Sequence, residues 1–474
     1  MAPENLATEP VVFPLRDGRG TIALHAGGFR HPAGFGTERF TAYADLTHLA
    51  TGTRSIRIGA RDGVIAIPRS YFREPAAADA LVRSLLDRIA REPSGSVQLA
   101  RMAEIEETLR QPHAPWVARA LWLACLVVFA LGVWLGPILE HAGFFGSKLA
   151  TNGEPWRLFT ANLLHADPVH LTLNVLGLAL LGGLVERALG AARTVLVVGL
   201  SALGATLAGV VMGYDKMVGA SGIVAGFFGS LVWLELRLPE RLPSQWRIPR
   251  RLLWVVLGLQ LLLDFSLPFI AAAAHVGGFA AGMLATALSA GPGLRREPLA
   301  PALSVASGLI VLVAAASLVS AARLVAGGAA MEHHAARLLA LDDVQPQVLN
   351  DAAWLIATGR KPTSGALEHA AELAERAVRE TDRTDPNLLD TLAEVEFQSG
   401  HRDEAVDTID EAIALAPSVD YFREQRRRFS GERAADDRPA PPIPSLVQPP
   451  SREPRDEPLP SPFDHDERNP GIEI

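Results

Sequence analysis

From residue 116 to residue 324 the chain is built of apolar runs long enough to cross a bilayer, and residues 120–139 contain no charged side chain. A helix of about 20 apolar residues matches a hydrocarbon layer roughly 30 Å thick, and inside that layer the backbone must satisfy its own hydrogen bonds. Seven runs are readable, at 116–137, 168–188, 192–213, 220–237, 251–270, 273–290 and 300–324. Charge gathers elsewhere, above all in 330–474, which predicts an α-helical polytopic membrane protein joined to soluble parts. The single cysteine, Cys125, lies inside an apolar run, so disulfides and Cys-based metal sites are excluded; no metal and no cofactor is expected. A net charge of −8 gives no sign of a nucleic-acid partner. The opening MAPENLATEP has neither a basic n-region nor an apolar h-region, so insertion is expected to use the internal spans.

The loops carry an orientation signal. If residues 1–115 are cytoplasmic, the inner loops hold Arg187, Arg193, Arg237, Arg241, Arg247, Arg250, Arg251, Arg295 and Arg296. The outer loops hold Lys148, Arg157 and Lys216, and this asymmetry fits the positive-inside rule. An odd number of spans then puts the C-terminal part outside. Lysine occurs only at 148, 216 and 361 while Arg and Ala abound, a bias typical of GC-rich bacterial genomes; the expected location is a bacterial cytoplasmic membrane.

The flanks read as separate domains. Residues 1–10 are expected to be flexible. Residues 11–68 alternate apolar and polar positions between Gly-containing turns, as in FTAYADLTHL, RSIRIG and GVIAIP, and predict short antiparallel strands. Residues 76–92 follow with apolar positions at helical spacing, so 11–95 is expected to be a soluble α+β domain that resembles a small PH-like module. In 345–429, LNDAAWLIATG aligns with LLDTLAEVEFQSG and ALEHAAELAERAVRET with DEAVDTIDEAIALAP. Small residues Ala393, Gly400, Ala405 and Ala412 stand where paired helices would cross, a pattern that resembles tetratricopeptide repeats with about six extra residues near Lys361-Pro362. A helix at 420–429 is expected to cap the two units, and such a domain would bind a protein partner. Residues 431–474, rich in Pro and charge, are expected to be disordered.

Polar groups inside a span are costly, so each needs a reason. Three spans run from outside to inside, the second, fourth and sixth. His165, His170 and Asn174 stand near the outer end of the second, Ser221 at the outer end of the fourth, and His275 at the outer end of the sixth. Asp167-Pro168 predicts a helix start, which puts His170 and Asn174 at i and i+4 on one face. Taken singly, a serine or histidine in a span is usually a structural hydrogen-bonder. A nucleophile and a base at one depth, beside two further donors, point instead to nucleophilic catalysis. Gly222 and Gly226 near Ser221, and Gly278 and Gly282 following His275, allow close helix approach.

Five motifs occur in order: Trp156-Arg157; His165, His170 and Asn174 in H-x4-H-x3-N; Glu186, Arg187 and Gly190 in VERALG; Gly219 to Gly222 in GASG; and His275, Gly278 and Gly282 in AHxxGxxxG. Together, across about 116–291, they resemble the rhomboid intramembrane serine proteases. The resemblance implies a six-helix core with a Ser221–His275 dyad, here followed by a seventh span, and transmembrane proteins as substrates. It further implies an oxyanion hole made by His170, Asn174 and the backbone near Ser221, including Gly219. His165 and Glu186 would be structural, and Trp156 and Arg157 would belong to a membrane-dipping loop. One departure is Ala225, where the family often has an aromatic residue stacked on the histidine; Phe227 and Phe228 follow but leave the helix in other directions. Asp264 lies in the fifth span, and no spacing links it to His275. Two other readings are a non-cleaving binder of membrane helices and a membrane-anchored repeat scaffold.

Overall fold

The computed structural model describes residues 10–440 except 18, 34–36, 111–112, 244–245, 267–270 and 360–361. The expectations for residues 1–9, for Lys361 and for 441–474 lie outside the described residues.

The alternating pattern of the N-terminal segment forms two antiparallel sheets. The first pairs β1 (Val11–Pro14), β2 (Thr21–Leu24), β3 (Gly28–Pro32) and β4 (Glu38–Ala42) in order, and the second pairs β5 (Leu46–Thr51), β6 (Ser55–Ala60) and β7 (Gly63–Pro68). Ile22, Leu24, Phe29, Ile56 and Ile58 point inward against Leu81, Leu85 and Ile89 of α1 (Pro75–Ala90). A second helix, α2 (Gly95–Arg110), packs against β5 and α1; its short run of polar and apolar residues gave no expectation of it. Gln98 fastens α2 by donating to the carbonyls of Tyr43 (2.6 Å) and Leu46 (2.9 Å).

The apolar runs form helices where expected. Five are long and apolar enough to cross a membrane: α3 (Trp116–Leu135), the second span Pro168–Leu189, α9 (Ala191–Val211), α12 (Ala272–Ser289) and α13 (Pro301–Ala326). The remaining two runs form helices of 17 residues each, α10 (Ser221–Arg237) and α11 (Arg250–Ser266), the shortest length that spans hydrocarbon. The protein is therefore an integral membrane protein. Half of the apolar window of α9 is buried against 11% for α3 and α13, so α9 is central and the other two face lipid. The second span is interrupted: α7 (Pro168–Gly177) and α8 (Gly183–Leu189) are joined by a π-helical turn at Leu178–Gly182. One extra residue in a helix rotates every later side chain by roughly 100°, so the polar groups of α7 and α8 are presented in different directions.

Between α3 and α7 the chain forms three short helices, α4 (Pro137–Gly143), α5 (Ser147–Thr151) and α6 (Arg157–Thr160), that apolar patterning did not foretell. They serve as a platform for the C-terminal helices α14 (Ala329–Leu339), α15 (Pro346–Ala357), α16 (Ser364–Glu380), α17 (Pro386–Gln398), α18 (Arg402–Leu415) and α19 (Asp420–Phe429). Ala142, Phe144, Leu149 and Leu164 of the loop share one apolar cluster with Met331, Ala335, Leu338 and Val348. α15 packs on α16 and α17 on α18 as helical pairs, and α19 contacts α18 at the end. Residues 431–440, expected to be disordered, are held instead: Arg438 donates to the buried carboxylate of Glu394 (2.6 Å) and Arg428 to the Ala435 carbonyl (3.0 Å). A buried acid needs partners, and the proximal tail supplies one.

The two soluble parts meet opposite ends of the bundle. The N-terminal part contacts the segment after α10, where Arg61 pairs with Glu240 (2.9 Å) and Arg241 with Glu104 (2.6 Å). The C-terminal part contacts the segment before α10, where Gln345 donates to Asp215 (3.0 Å), and Val218 packs on the shared apolar cluster.

Candidate active site

Asp167 caps α7 as its sequence predicts, accepting from the N–H of Val169 (2.8 Å) and His170 (2.9 Å). His170 and Asn174 then share a face one turn apart, and the Asn174 side chain donates to the His170 carbonyl (3.0 Å). The ring of His165 lies 5.2 Å from that of His170, centre to centre. Burial, with His170 beside it, drives His165 down to about 4, so its imidazole is neutral at neutral pH.

Gly219 is where α7 meets the start of α10. Its φ of +121° suits glycine, and a Cβ there would fall 2.7 Å from the His170 ring. The Gly219 N–H donates to the Ala161 carbonyl (2.9 Å). It is therefore occupied, while the N–H groups of Ser221 and Gly222 head α10, where no intrahelical acceptor exists.

Ser221 is the first residue of α10 and His275 the fourth of α12; both are half-buried. The two helices touch backbone to backbone. A Cβ on Gly278 would lie 2.1 Å from the Gly222 carbonyl oxygen, and one on Gly282 would lie 2.2 Å from that of Gly226. Ser230 adds an interhelical bond to the Gly282 carbonyl (3.1 Å). Among the described residues no hydrogen bond joins Ser221 to His275. The His275 Nδ1 instead meets Asp264 Oδ1 at 2.7 Å, and Gln260 donates to the same oxygen at 2.8 Å. Apolar patterning alone missed this pair; its one signal was two polar residues four apart in an otherwise apolar helix. Phe227 packs on Gly182 and Phe228 against Phe279, so neither covers His275 in place of Ala225.

Three expected structural residues, Glu186, Arg157 and Trp156, bind backbone of neighbouring segments. Glu186, fully buried in α8, accepts from the N–H of Val117 (3.1 Å) and Ala118 (2.9 Å) and so caps α3. Arg157, fully buried in α6, binds Glu154 (2.6 Å) and the carbonyls of His141 (2.8 Å) and Phe144 (2.9 Å), while Trp156 donates to the Ala142 carbonyl (3.2 Å). Together they knit the α4–α6 loop.

Residues 152–291, from the end of α5 through α12, match the Rhomboid domain family. The chain belongs to the rhomboid family. The rhomboid domain thus holds every residue of the cluster around Ser221, while α3, α13 and both soluble parts lie outside the match. Over 160 residues (32% of this chain) it is 32% identical to RHOMBOID-like protein 4 of Arabidopsis thaliana, covering 39% of that protein. Over 146 residues (30% of this chain) it is 31% identical to rhomboid protease GluP of Bacillus subtilis (strain 168), covering 28% of it. Over 158 residues (31% of this chain) it is 30% identical to the mitochondrial RHOMBOID-like protein 6 of Arabidopsis thaliana, covering 49%. In each case the match spans less than half of the relative's length.

Proposed function

We propose that this rhomboid protein is an intramembrane serine endopeptidase that cleaves transmembrane segments of other membrane proteins. The observation that carries the reading is that Ser221 and His275 stand in the first turns of two helices in backbone contact at Gly222 and Gly278. His275 Nε2 takes the Ser221 proton as the oxygen attacks the scissile carbonyl, and returns it to the leaving amine as the C–N bond breaks. The N–H groups of Ser221 and Gly222, with His170 and Asn174, receive the developing oxyanion, each donor contributing about 2.7–4 kcal/mol. The Asn174 amide has two N–H groups: one binds the His170 carbonyl in this structure, and the other is the donor to the oxyanion.

The proposed setting is a bacterial cytoplasmic membrane, with the PH-like N-terminal module inside and Ser221 opening toward the outer face. The helical hairpins α15–α18 would act outside as a tetratricopeptide-like module for a protein partner. A second reading, a rhomboid fold that binds helices without cutting them, is favoured by Ala225 and by the missing Ser221–His275 hydrogen bond. A fluorophosphonate probe and a generic transmembrane substrate in proteoliposomes separate the two. Labelling and cleavage by the wild type, both abolished in Ser221→Ala, support the protease; equal labelling of the two proteins, or an inert wild type, refutes it.

A further inference from the structure

A carboxylate in a lipid-facing helix is costly unless something holds it. In α11 only Leu253 and Asp264 are buried among the described residues; Leu257 packs beside Leu253, while apolar side chains such as Trp254, Leu262 and Phe265 face outward. Asp264 is therefore the polar contact of an otherwise lipid-exposed helix, and what it contacts is His275. Its Oδ1 lies 2.7 Å from Nδ1 and receives Gln260 Nε2 at 2.8 Å. Among the described residues its Oδ2 is buried without a partner, a costly arrangement that persists only where the surroundings fix it.

The chemistry of the contact fixes a proton. With Asp264 as a carboxylate, which only accepts, Nδ1 carries the hydrogen and donates it to Asp264. The nearby Gln260 amide nitrogen, 3.3 Å from Nδ1, is likewise a donor and turns its hydrogen to the carboxylate instead. With Nδ1 protonated, the lone pair of a neutral imidazole is on Nε2, the nitrogen free to face Ser221.

We propose that Asp264 is a positioning residue that holds His275 in the Nδ1–H tautomer and stabilises the imidazolium formed when Ser221 is deprotonated. This rests on the protease reading above and makes its dyad a relay of three. The proton moves from Ser221 Oγ to Nε2 and then to the leaving amine, while the Nδ1 hydrogen remains between imidazole and carboxylate. An amide at 264 would donate to Nδ1, force the hydrogen onto Nε2, and remove the base while keeping the shape.

The test uses the full chain in proteoliposomes. Asp264→Asn is expected to lower kcat by about 10²–10⁴-fold with KM within about threefold and an unchanged melting temperature. In a His275→Ala background, Asp264→Asn is expected to cause no additional loss of fluorophosphonate labelling, because it acts through the histidine. A kcat within about threefold of wild type, or a full additional loss without His275, overturns the proposal. If Asp264→Asn does not fold, selective ¹⁵N-histidine spectra of the wild type decide: a protonated Nδ1 on His275 supports the assignment and a protonated Nε2 overturns it. An inactive wild type would sink the protease reading, and this proposal with it. An active wild type with an indifferent Asp264→Asn sinks this proposal alone.

Discussion

Gly278→Ala tests whether the contact between α10 and α12 builds the site or merely packs the bundle. The added Cβ would stand 2.1 Å from the Gly222 carbonyl oxygen, where ordinary contact begins at 3.4 Å. The obstacle is backbone, so no rotamer relieves it, and the helices must separate by about 1.3 Å or shear past one another. Overpacking of this kind costs typically about 1–3 kcal/mol. Gly222 adjoins Ser221 and Gly278 follows His275 by three residues, so the same displacement enters the distance between nucleophile and base. A misplacement of about 1 Å at reacting groups lowers turnover by roughly 10²-fold, beyond what the loss of folded protein explains. Gly308→Ala in α13 is the matched control, since a Cβ there meets nothing within 4 Å. Exchanging an exposed helical glycine for alanine leaves stability unchanged or raises it by up to about 1 kcal/mol. Turnover in proteoliposomes and thermal unfolding in detergent are read on the same preparations. Gly278→Ala with turnover within about threefold of the Gly308→Ala control would refute the idea that this contact sets the catalytic distance.

Two further outcomes concern the domain contacts. His334, buried and donating through Nδ1 to Glu154 (2.6 Å), lies 2.8 Å from His141 across the joint between α14 and the α4–α6 loop. Burial holds both imidazoles below their usual 6.5, while Glu154, which burial would raise, is held down to about 2 by His334 and Arg157. The unfolded chain therefore takes up more protons below pH 6.5, and the docked state loses stability on acidification, by up to about 1.4 kcal/mol per pH unit for each histidine. Protease release of the C-terminal domain should rise between about pH 7.5 and 5.5, and less steeply in His141→Leu/His334→Leu; a pH-independent release would refute the coupling. Reporter fusions at residues 100 and 430 should give opposite signals, because seven apolar helical runs separate them; matching signals would mean that one of the seven does not cross.

Helical periodicity and apolar length made the bundle readable because lipid enforces both. A span has to be apolar over its whole length, and its exceptions stand out, as His170, Asn174, Ser221 and His275 did. Glycines at i and i+4 in α10 and α12 also marked where backbones approach. The strands of β1–β7 were readable from period-two alternation, and the C-terminal helical pairs from internal alignment. What stayed hidden depended on contacts between distant segments. The short helices α4–α6 have no long apolar face, because they pack on α9, α13 and the C-terminal helices rather than spanning the bilayer. The segment 431–440 has a disordered composition, yet Arg438 adds a third charge to the buried Glu394–Arg428 pair.

Asp264 shows where such reading stops and why. Spacing within a helix fixes which residues share a face, but not how one helix is rotated against the next. For α10 and α12 the small residues supply that rotation, since only one pair of faces permits contact at Gly222 and Gly278. For α11 the small-residue signal is weaker: it has one glycine, Gly258, where an added Cβ would meet nothing within 4 Å, among mostly large apolar side chains. A single polar stripe, Gln260 with Asp264, sets the rotation instead, because exposing it to lipid costs more than any difference in packing. The stripe must turn inward, and the donor it meets at that depth is the Nδ1–H of His275. The rotation of α11 and the tautomer of His275 are thus two consequences of one carboxylate, so removing its charge should disturb the chemistry before it disturbs the fold.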